Sequence, residues 1–199
     1  MSYDFKNSET VKNLMRSFAG ESQARNRYTI AAGLAKAQKL HLLDAIFTFT
    51  ANQEKEHAEI FYNHLKPMNT EIINIDGSYP VNNSDSLEEL LRTAMHNEYE
   101  EHDVVYKSFA ETARKEGYDQ IAASFELIAK IEKVHGERFK RYAELMEQDK
   151  LFSSDIEESW FCLNCGHIHN GKSAPMMCPV CKHDQGFFIR IADTPYGIG

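Results

Sequence analysis

The sequence predicts a mainly α protein, a four-helix bundle followed by a small domain folded around a metal. Three observations carry that prediction. Residues 8–148 read as long helical segments whose apolar positions recur three and four apart. Each apolar stripe is interrupted near its middle by Glu or His. All four cysteines, Cys162, Cys165, Cys178 and Cys181, fall in two C-x-x-C pairs after a stretch of 161 residues that contains none.

The first helix is expected from about Ser8 to Ala37. The second runs from about His41 to Lys66, stopped by Pro67. The one long connection follows, with Gly77 and Pro80 as breakers. The third helix starts near Asp85, where Asp85/Glu88 and Ser86/Glu89 both have capping-box spacing, and ends at Gly117, a natural C′ residue. The fourth runs from about Asp119 to Gln148. Four rods joined by two short links and one long one describe a bundle with a crossover, the ferritin-like topology. From Leu151 short apolar runs and turns replace helical periodicity, so the chain divides into residues 1–148 and 149–199.

The core stripes place Leu14, Phe18, Glu21, Arg25, Tyr28 and Ala32 inward on the first helix, and Phe47, Thr50, Glu54, His57, Phe61 and His64 on the second. The third gives Leu91, Ala94, Glu98, Glu101, Val105 and Ser108, and the fourth Phe125, Ile128, Glu132, His135, Phe139 and Tyr142. A buried, unpaired carboxylate costs several kcal/mol, so a layer of them needs compensating positive charge.

Two Glu-x-x-His pairs, Glu54/His57 and Glu132/His135, put a carboxylate and an imidazole on one helix face. With 20 Glu and 9 His in 199 residues, about one such pair arises by chance, so the motif alone decides nothing. The register does. Glu21 precedes Glu54 by 33 residues and Glu98 precedes Glu132 by 34, so each half repeats a lone Glu followed by Glu-x-x-His. That is a dimetal-carboxylate plan. Glu21, Glu54, Glu98, Glu101 and Glu132 sum to −5 when ionised, and two divalent cations bring +4. Glu101, one turn beyond Glu98, is a spare carboxylate that would let one metal exchange ligands. Oxygen and imidazole donors suit iron or manganese, with zinc as an alternative. Tyr28 and Tyr106 are placed to sit over the site as hydrogen-bond donors. Gly136, beside His135, points to close helix approach.

The tail reads W-F-C-L-N-C-G-H, then C-P-V-C-K, with twelve residues between the knuckles, a tetrahedral four-sulfur signal. Some 45 residues cannot build a core alone, so the metal is part of that fold. Trp160, Phe161, Phe187 and Phe188 are the expected aromatic core. Spacing does not choose between Zn²⁺ and a single Fe.

Composition excludes other classes. Hydrophobic residues at 42% and charged residues at 26% are not those of a disordered chain, and 5 Pro and 10 Gly are too few for a turn-rich all-β protein. A net charge of −8 without a basic stripe disfavours nucleic acid. No apolar run is long enough to span a membrane, and MSYDFKNSET lacks a signal core. Clustered cysteines fit a reducing cytoplasm.

Taken together, Glu21, Glu54-x-x-His57, Glu98-x-x-Glu101, Glu132-x-x-His135 and the two cysteine knuckles resemble the rubrerythrins over essentially the whole chain. The resemblance implies a ferritin-like bundle followed by a rubredoxin-like domain, a pair of non-haem iron ions, and one iron in Fe(SCys)₄. It implies reduction of hydrogen peroxide, with electrons from an external donor such as rubredoxin or an NAD(P)H-dependent reductase. It also implies a head-to-tail homodimer, and one iron that shifts between His57 and Glu101. Glu54 and Glu132 are the expected bridges, with Glu21, Glu98 and Glu101 terminal. Lys182 departs from the glycine usual after that knuckle. A ferroxidase would use the same bundle without needing the tail, and a scaffold with a structural zinc ribbon would have no redox chemistry.

Overall fold

The computed structural model describes residues 4–195, so the outermost residues of both expected domains, 1–3 and 196–199, lie outside it. Five α-helices build the bundle: α1 (Glu9–Ala37), α2 (His41–His64), α3 (Leu87–Glu100), α4 (Tyr106–Glu116) and α5 (Asp119–Glu147). The extra helix arises because the expected third rod is not continuous. Glu101–Val105 form a π-helical turn between α3 and α4. That turn inserts one residue into the helical register. Beyond it Tyr106, Ala110 and Ala113 are buried, whereas Ser108 is exposed and Val105 only half-buried, which corrects the expected inward positions Val105 and Ser108. Arg25 is likewise corrected. It is exposed, and Ala24 takes the inward place.

Local chemistry explains the boundaries. Ser8 and Ser86 accept hydrogen bonds from the backbone N–H of Val11 and Glu89, satisfying donors at the starts of α1 and α3. Gly117 ends α4 in the left-handed region at φ 87°, with Tyr118 N–H donating to Ala113 O. Lys39 and Asp149 close α1 and α5 in the same way at φ 60° and 53°, with Leu40 N–H donating to Ala35 O and Lys150 N–H to Leu145 O. Neither stop is marked by a glycine, yet both fall within a residue of the ends expected at Ala37 and Gln148.

α1 packs on α2, and α3 and α4 pack on α5. The apolar core is split in two. One cluster holds Tyr28, Phe47 and Phe139; the other holds Phe61, Tyr106 and Phe125. Between them lies a layer of buried Glu and His. Gly136 permits the α3–α5 approach at that level, because a Cβ there would meet the Tyr99 ring at 2.8 Å.

The tail is a three-stranded antiparallel sheet, β1 (Ser153–Cys162), β2 (Ile168–Ser173) and β3 (Phe188–Arg190), in the order β2-β1-β3. Alternation along β1 sends Trp160 into the small core with Phe188, Cys162 and Cys178. Phe161 points the other way and packs on the bundle core, which corrects its expected membership of the small core. Arg190, buried under Trp160, donates to the carbonyls of Lys150, Leu151 and Ser153, holding the sheet to the segment that follows α5. His41 at the start of α2 stacks on Phe187 with ring centroids 3.8 Å apart.

Candidate metal centres

Each carboxylate in the buried layer comes from the middle of a different rod. Glu21 comes from α1, Glu54 from α2, Glu98 from α3 and Glu132 from α5, and none is more than 1% exposed. The imidazoles His57 and His135 follow one turn after Glu54 and Glu132. His57 Nδ1 lies 3.1 Å from Glu54 Oε2 and 2.8 Å from Glu132 Oε1. His135 Nδ1 lies 2.9 Å from Glu54 Oε1 and 2.8 Å from Glu132 Oε2. Glu54 and Glu132 therefore each offer one oxygen to each imidazole. Glu21 reaches toward His57 at 4.0 Å, and Glu98 toward His135 at 3.6 Å. The layer has two halves, each with an imidazole and a terminal carboxylate, sharing two central carboxylates.

Glu101, in the π turn, joins the first half. Donor atoms of Glu21, Glu101 and Glu132 lie within 4.8 Å of one another, as do those of Glu54, His57, Glu132 and His135. Glu132 is thus common to both donor sets, and Glu21 of the second reaches toward His57 of the first, so His57 and Glu101 face the same side of the layer.

The tyrosines repeat the two-fold plan. Tyr28 donates its hydroxyl to Glu98 Oε1, and Tyr106 donates to Glu21 Oε1. Tyr28 follows Glu21 by seven residues, but Tyr106 follows Glu98 by eight. The extra residue is the one inserted by the π turn.

The charge state of this layer follows from burial. Burial, then the neighbouring Glu132, Glu101 and Glu54, push the Glu21 carboxyl well above the usual range. Glu101 is raised in the same sense by burial and then Glu98, and Glu98 to about 8 by burial and Glu54. Burial also opposes ionisation of Glu54, but contacts from His135 and His57 outweigh it and hold that carboxyl at about 2. Burial would lower both imidazoles; the carboxylates around them instead raise His57 to about 9 and His135 to about 12. Several polar atoms nonetheless lack hydrogen-bond partners among the described residues: Glu21 Oε2, Glu98 Oε2, both Glu132 oxygens and His135 Nδ1. Donor atoms that crowd to 2.8 Å without hydrogen-bond alignment converge on shared points between them, as ligands of a cation do. Two divalent cations fit this donor set in number, charge and chemistry.

The four cysteines are free thiols whose sulfurs all lie within 4.8 Å of one another. Cys162 Sγ and Cys181 Sγ are 3.8 Å apart, and Cys165 Sγ and Cys178 Sγ 3.7 Å. A tetrahedron with metal–sulfur arms of about 2.3 Å has edges of about 3.8 Å. Each knuckle closes on a residue with positive φ, Gly166 at 77° and Lys182 at 63°. Their amides donate to Cys162 O and Cys178 O. Lys182 thus adopts the turn that glycine would provide, and its Nζ folds back 2.8 Å from Pro179 O.

The side chains singled out from the sequence converge in these two clusters. His64 sits at the rim against Ser124 Oγ, outside both. Arg138 had not been singled out. It is half-buried beside the layer and donates to Thr50 Oγ1, one turn before Glu54, and to Gln53 Oε1, next to Glu54. A polar Thr on an apolar stripe was the available signal.

Comparison with known proteins agrees with this anatomy. The sequence matches the family described as Rubrerythrin over residues 12–143 and the one described as Rubrerythrin, rubredoxin-like domain over residues 160–189. It is 42% identical to Rubrerythrin-1 of Clostridium acetobutylicum over 191 residues, covering 95% of this chain and 97% of that one. The fold resembles the solved structure of fully reduced, all-ferrous nigerythrin with a TM-score of 0.62 at 25% identity, over 94% of this chain and 91% of that one. The bundle alone resembles the bacterioferritin BfrA of Mycobacterium tuberculosis at TM-score 0.61 and 20% identity, over 74% of this chain and 90% of that one, a likeness of fold only.

Proposed function

The chain belongs to the rubrerythrin family, and from that premise we propose that it is a peroxidase that reduces hydrogen peroxide to water. The balance is H₂O₂ + 2 e⁻ + 2 H⁺ → 2 H₂O. Two iron ions held by Glu21, Glu54, His57, Glu98, Glu101, Glu132 and His135 would supply the two electrons and polarise the oxygen–oxygen bond. The observation that carries this reading is the pair of shared carboxylates: Glu54 and Glu132 each face both imidazoles, so two cations would sit side by side at a fixed spacing.

The remaining side chains hold that arrangement and handle protons. Tyr28 and Tyr106 fix one oxygen each of Glu98 and Glu21, leaving the other oxygen of each free to ligate. The aromatic layers on either side keep water out. His57 and Glu101 are alternative donors to the same half of the site, which supports exchange between them as the charge there changes. Glu101 is the partly exposed member of the set, and burial favours its protonated form. It is therefore the carboxyl suited to pass a proton inward.

The attached four-sulfur centre supports electron delivery, with iron as the carrier, from an external rubredoxin or an NAD(P)H-dependent reductase in the cytoplasm. Exposed apolar side chains on α5 (Leu127, Ile131, Val134) and α2 (Phe49, Ile60) support a homodimer, head-to-tail so that one copy's four-sulfur centre faces the other's bundle. No helix among the described residues is long and apolar enough to cross a membrane.

The test is stopped-flow oxidation of the fully reduced, iron-loaded protein. Hydrogen peroxide is expected to oxidise it at least tenfold faster than dioxygen at equal concentration. Faster reaction with dioxygen would favour a ferroxidase, and a colourless protein containing only zinc would favour a structural role.

A further inference from the structure

A cavity of about 260 Å³ lies outside the carboxylate layer, between α1 and the π turn. Ser17 and Gly20 of α1 form one wall, Glu101 and Tyr106 another, and Tyr79 of the long connection lies over it. It is the Glu101 side of the layer that meets this space: Glu101 is partly exposed there, whereas the other six donors are buried. Tyr106 carries the contact on to Glu21 through its hydroxyl.

The walls suit a small, doubly hydrogen-bonding molecule. Ser17 Oγ has no hydrogen-bond partner among the described residues, in a residue only 3% exposed. A hydroxyl there can both donate and accept. At about 30 Å³ per water, the space holds roughly nine waters, so selection by size falls to its aperture and not to its volume. Gly20 keeps it open: a Cβ at that position would meet Tyr79 Cε1 at 3.8 Å, and any longer side chain would enter the cavity.

The cover is stapled. Tyr79 Oη donates to Arg16 O at 3.1 Å. Upstream, the Arg16 guanidinium holds Asp76 Oδ1 at 2.6 Å; downstream, Asn82 Oδ1 accepts from Arg27 at 2.9 Å and from Asn97 at 2.8 Å. The ring is thus clasped on both sides where it lies over the cavity.

We propose that this cavity is the entrance and waiting site for hydrogen peroxide, with Ser17 as its hydrogen-bonding anchor, Glu101 as the inner door and Tyr79 as the size filter. The inference rests on the peroxidase reading for its substrate and on the cavity for its residues. Two experiments separate them.

In the first, reduced iron-loaded protein is mixed with hydrogen peroxide and with tert-butyl hydroperoxide. Gly20→Val should slow oxidation by hydrogen peroxide at least tenfold with iron content and visible spectrum intact. Tyr79→Ala should raise the ratio of the tert-butyl hydroperoxide rate to the hydrogen peroxide rate at least tenfold. Parent rates and ratios in both variants overturn the proposal. In the second, crystals of the zinc-loaded protein, which cannot consume peroxide, are soaked in hydrogen peroxide. Density for a two-atom ligand within hydrogen-bonding distance of Ser17 Oγ, lost in Gly20→Val, supports the site, and its absence from the parent crystal overturns it. If that density appears while the reduced iron protein proves inert to peroxide, the cavity assignment stands and the peroxidase reading falls.

Discussion

Glu54 and Glu132 differ from the other carboxylates in the layer by a single geometric fact: each presents one oxygen to His57 and the other to His135. Losing either removes a ligand from both halves of the site, whereas losing Glu21 touches only the half that contains His57. Glu54→Ala should therefore reduce bundle iron from two ions per chain to close to none, and Glu21→Ala should retain about one. Metal analysis after equilibration with Fe²⁺ checks this, with the four-sulfur iron counted from its visible absorption. Equal losses in the two variants would mean that Glu54 is not shared. At this scale the site was largely legible in the sequence, because a carboxylate placed on an apolar stripe is too costly to be accidental when four helices repeat it. Tyr106 was readable as a candidate but not as a core position, since the periodic stripe put Val105 inward. Arg25 failed for the opposite reason: it fits the spacing of its stripe, yet Ala24 beside it fills the inward place at no desolvation cost.

Among the elements, the least legible feature was how the sulfur-bearing sheet sits on the bundle. Periodicity and caps located the helices, because those signals lie within a few residues of one another. Docking depends on contacts between distant segments that carry no local signature. Gly186 shows how tight that contact is: a Cβ there would lie 1.8 Å from the backbone oxygen of Lys39, at the turn between α1 and α2. Lys39 holds that turn in the left-handed region at φ 60°. Gly186→Ala should lift the sheet from the turn and separate the His41–Phe187 stack. Overpacking of this kind costs about 1–3 kcal/mol. Limited proteolysis should then cut between 149 and 158 at least several times faster, with bundle helicity unchanged by circular dichroism. A variant as resistant as its parent would show that the interface has slack. The irregular register of β1 against β2 between Ser153 and Glu158 makes this the natural place for the connection to give.

For the whole molecule, the split core makes stability depend on what fills the gap, and the sign of its pH dependence follows. Without metal, the folded protein holds protons that the unfolded chain would release. Glu98 is raised to about 8 and His57 to about 9, and Glu21 and Glu101 are also raised. Groups raised on folding stabilise the native state below their unfolded values, and that contribution is lost as pH climbs through the folded ones. Glu54, held at about 2, works in the opposite direction, but only below the ordinary carboxylate range. Between pH 5 and 9 the raised groups act alone, so the metal-free bundle should lose stability steadily across that window. A few kcal/mol in a chain of this size corresponds to a fall in Tm of roughly 10 °C. The loaded protein should do the reverse from pH 5 to 8, because its ligands must be deprotonated and protons compete less with the cations as pH rises. Thermal melts followed by helical circular dichroism, on chelator-treated and Fe²⁺-loaded or Zn²⁺-loaded samples, should give two curves of opposite slope. A metal-free bundle that grew more stable toward pH 9 would mean that its carboxylates are hydrated, and a layer open to water would not need two cations to hold four helices together.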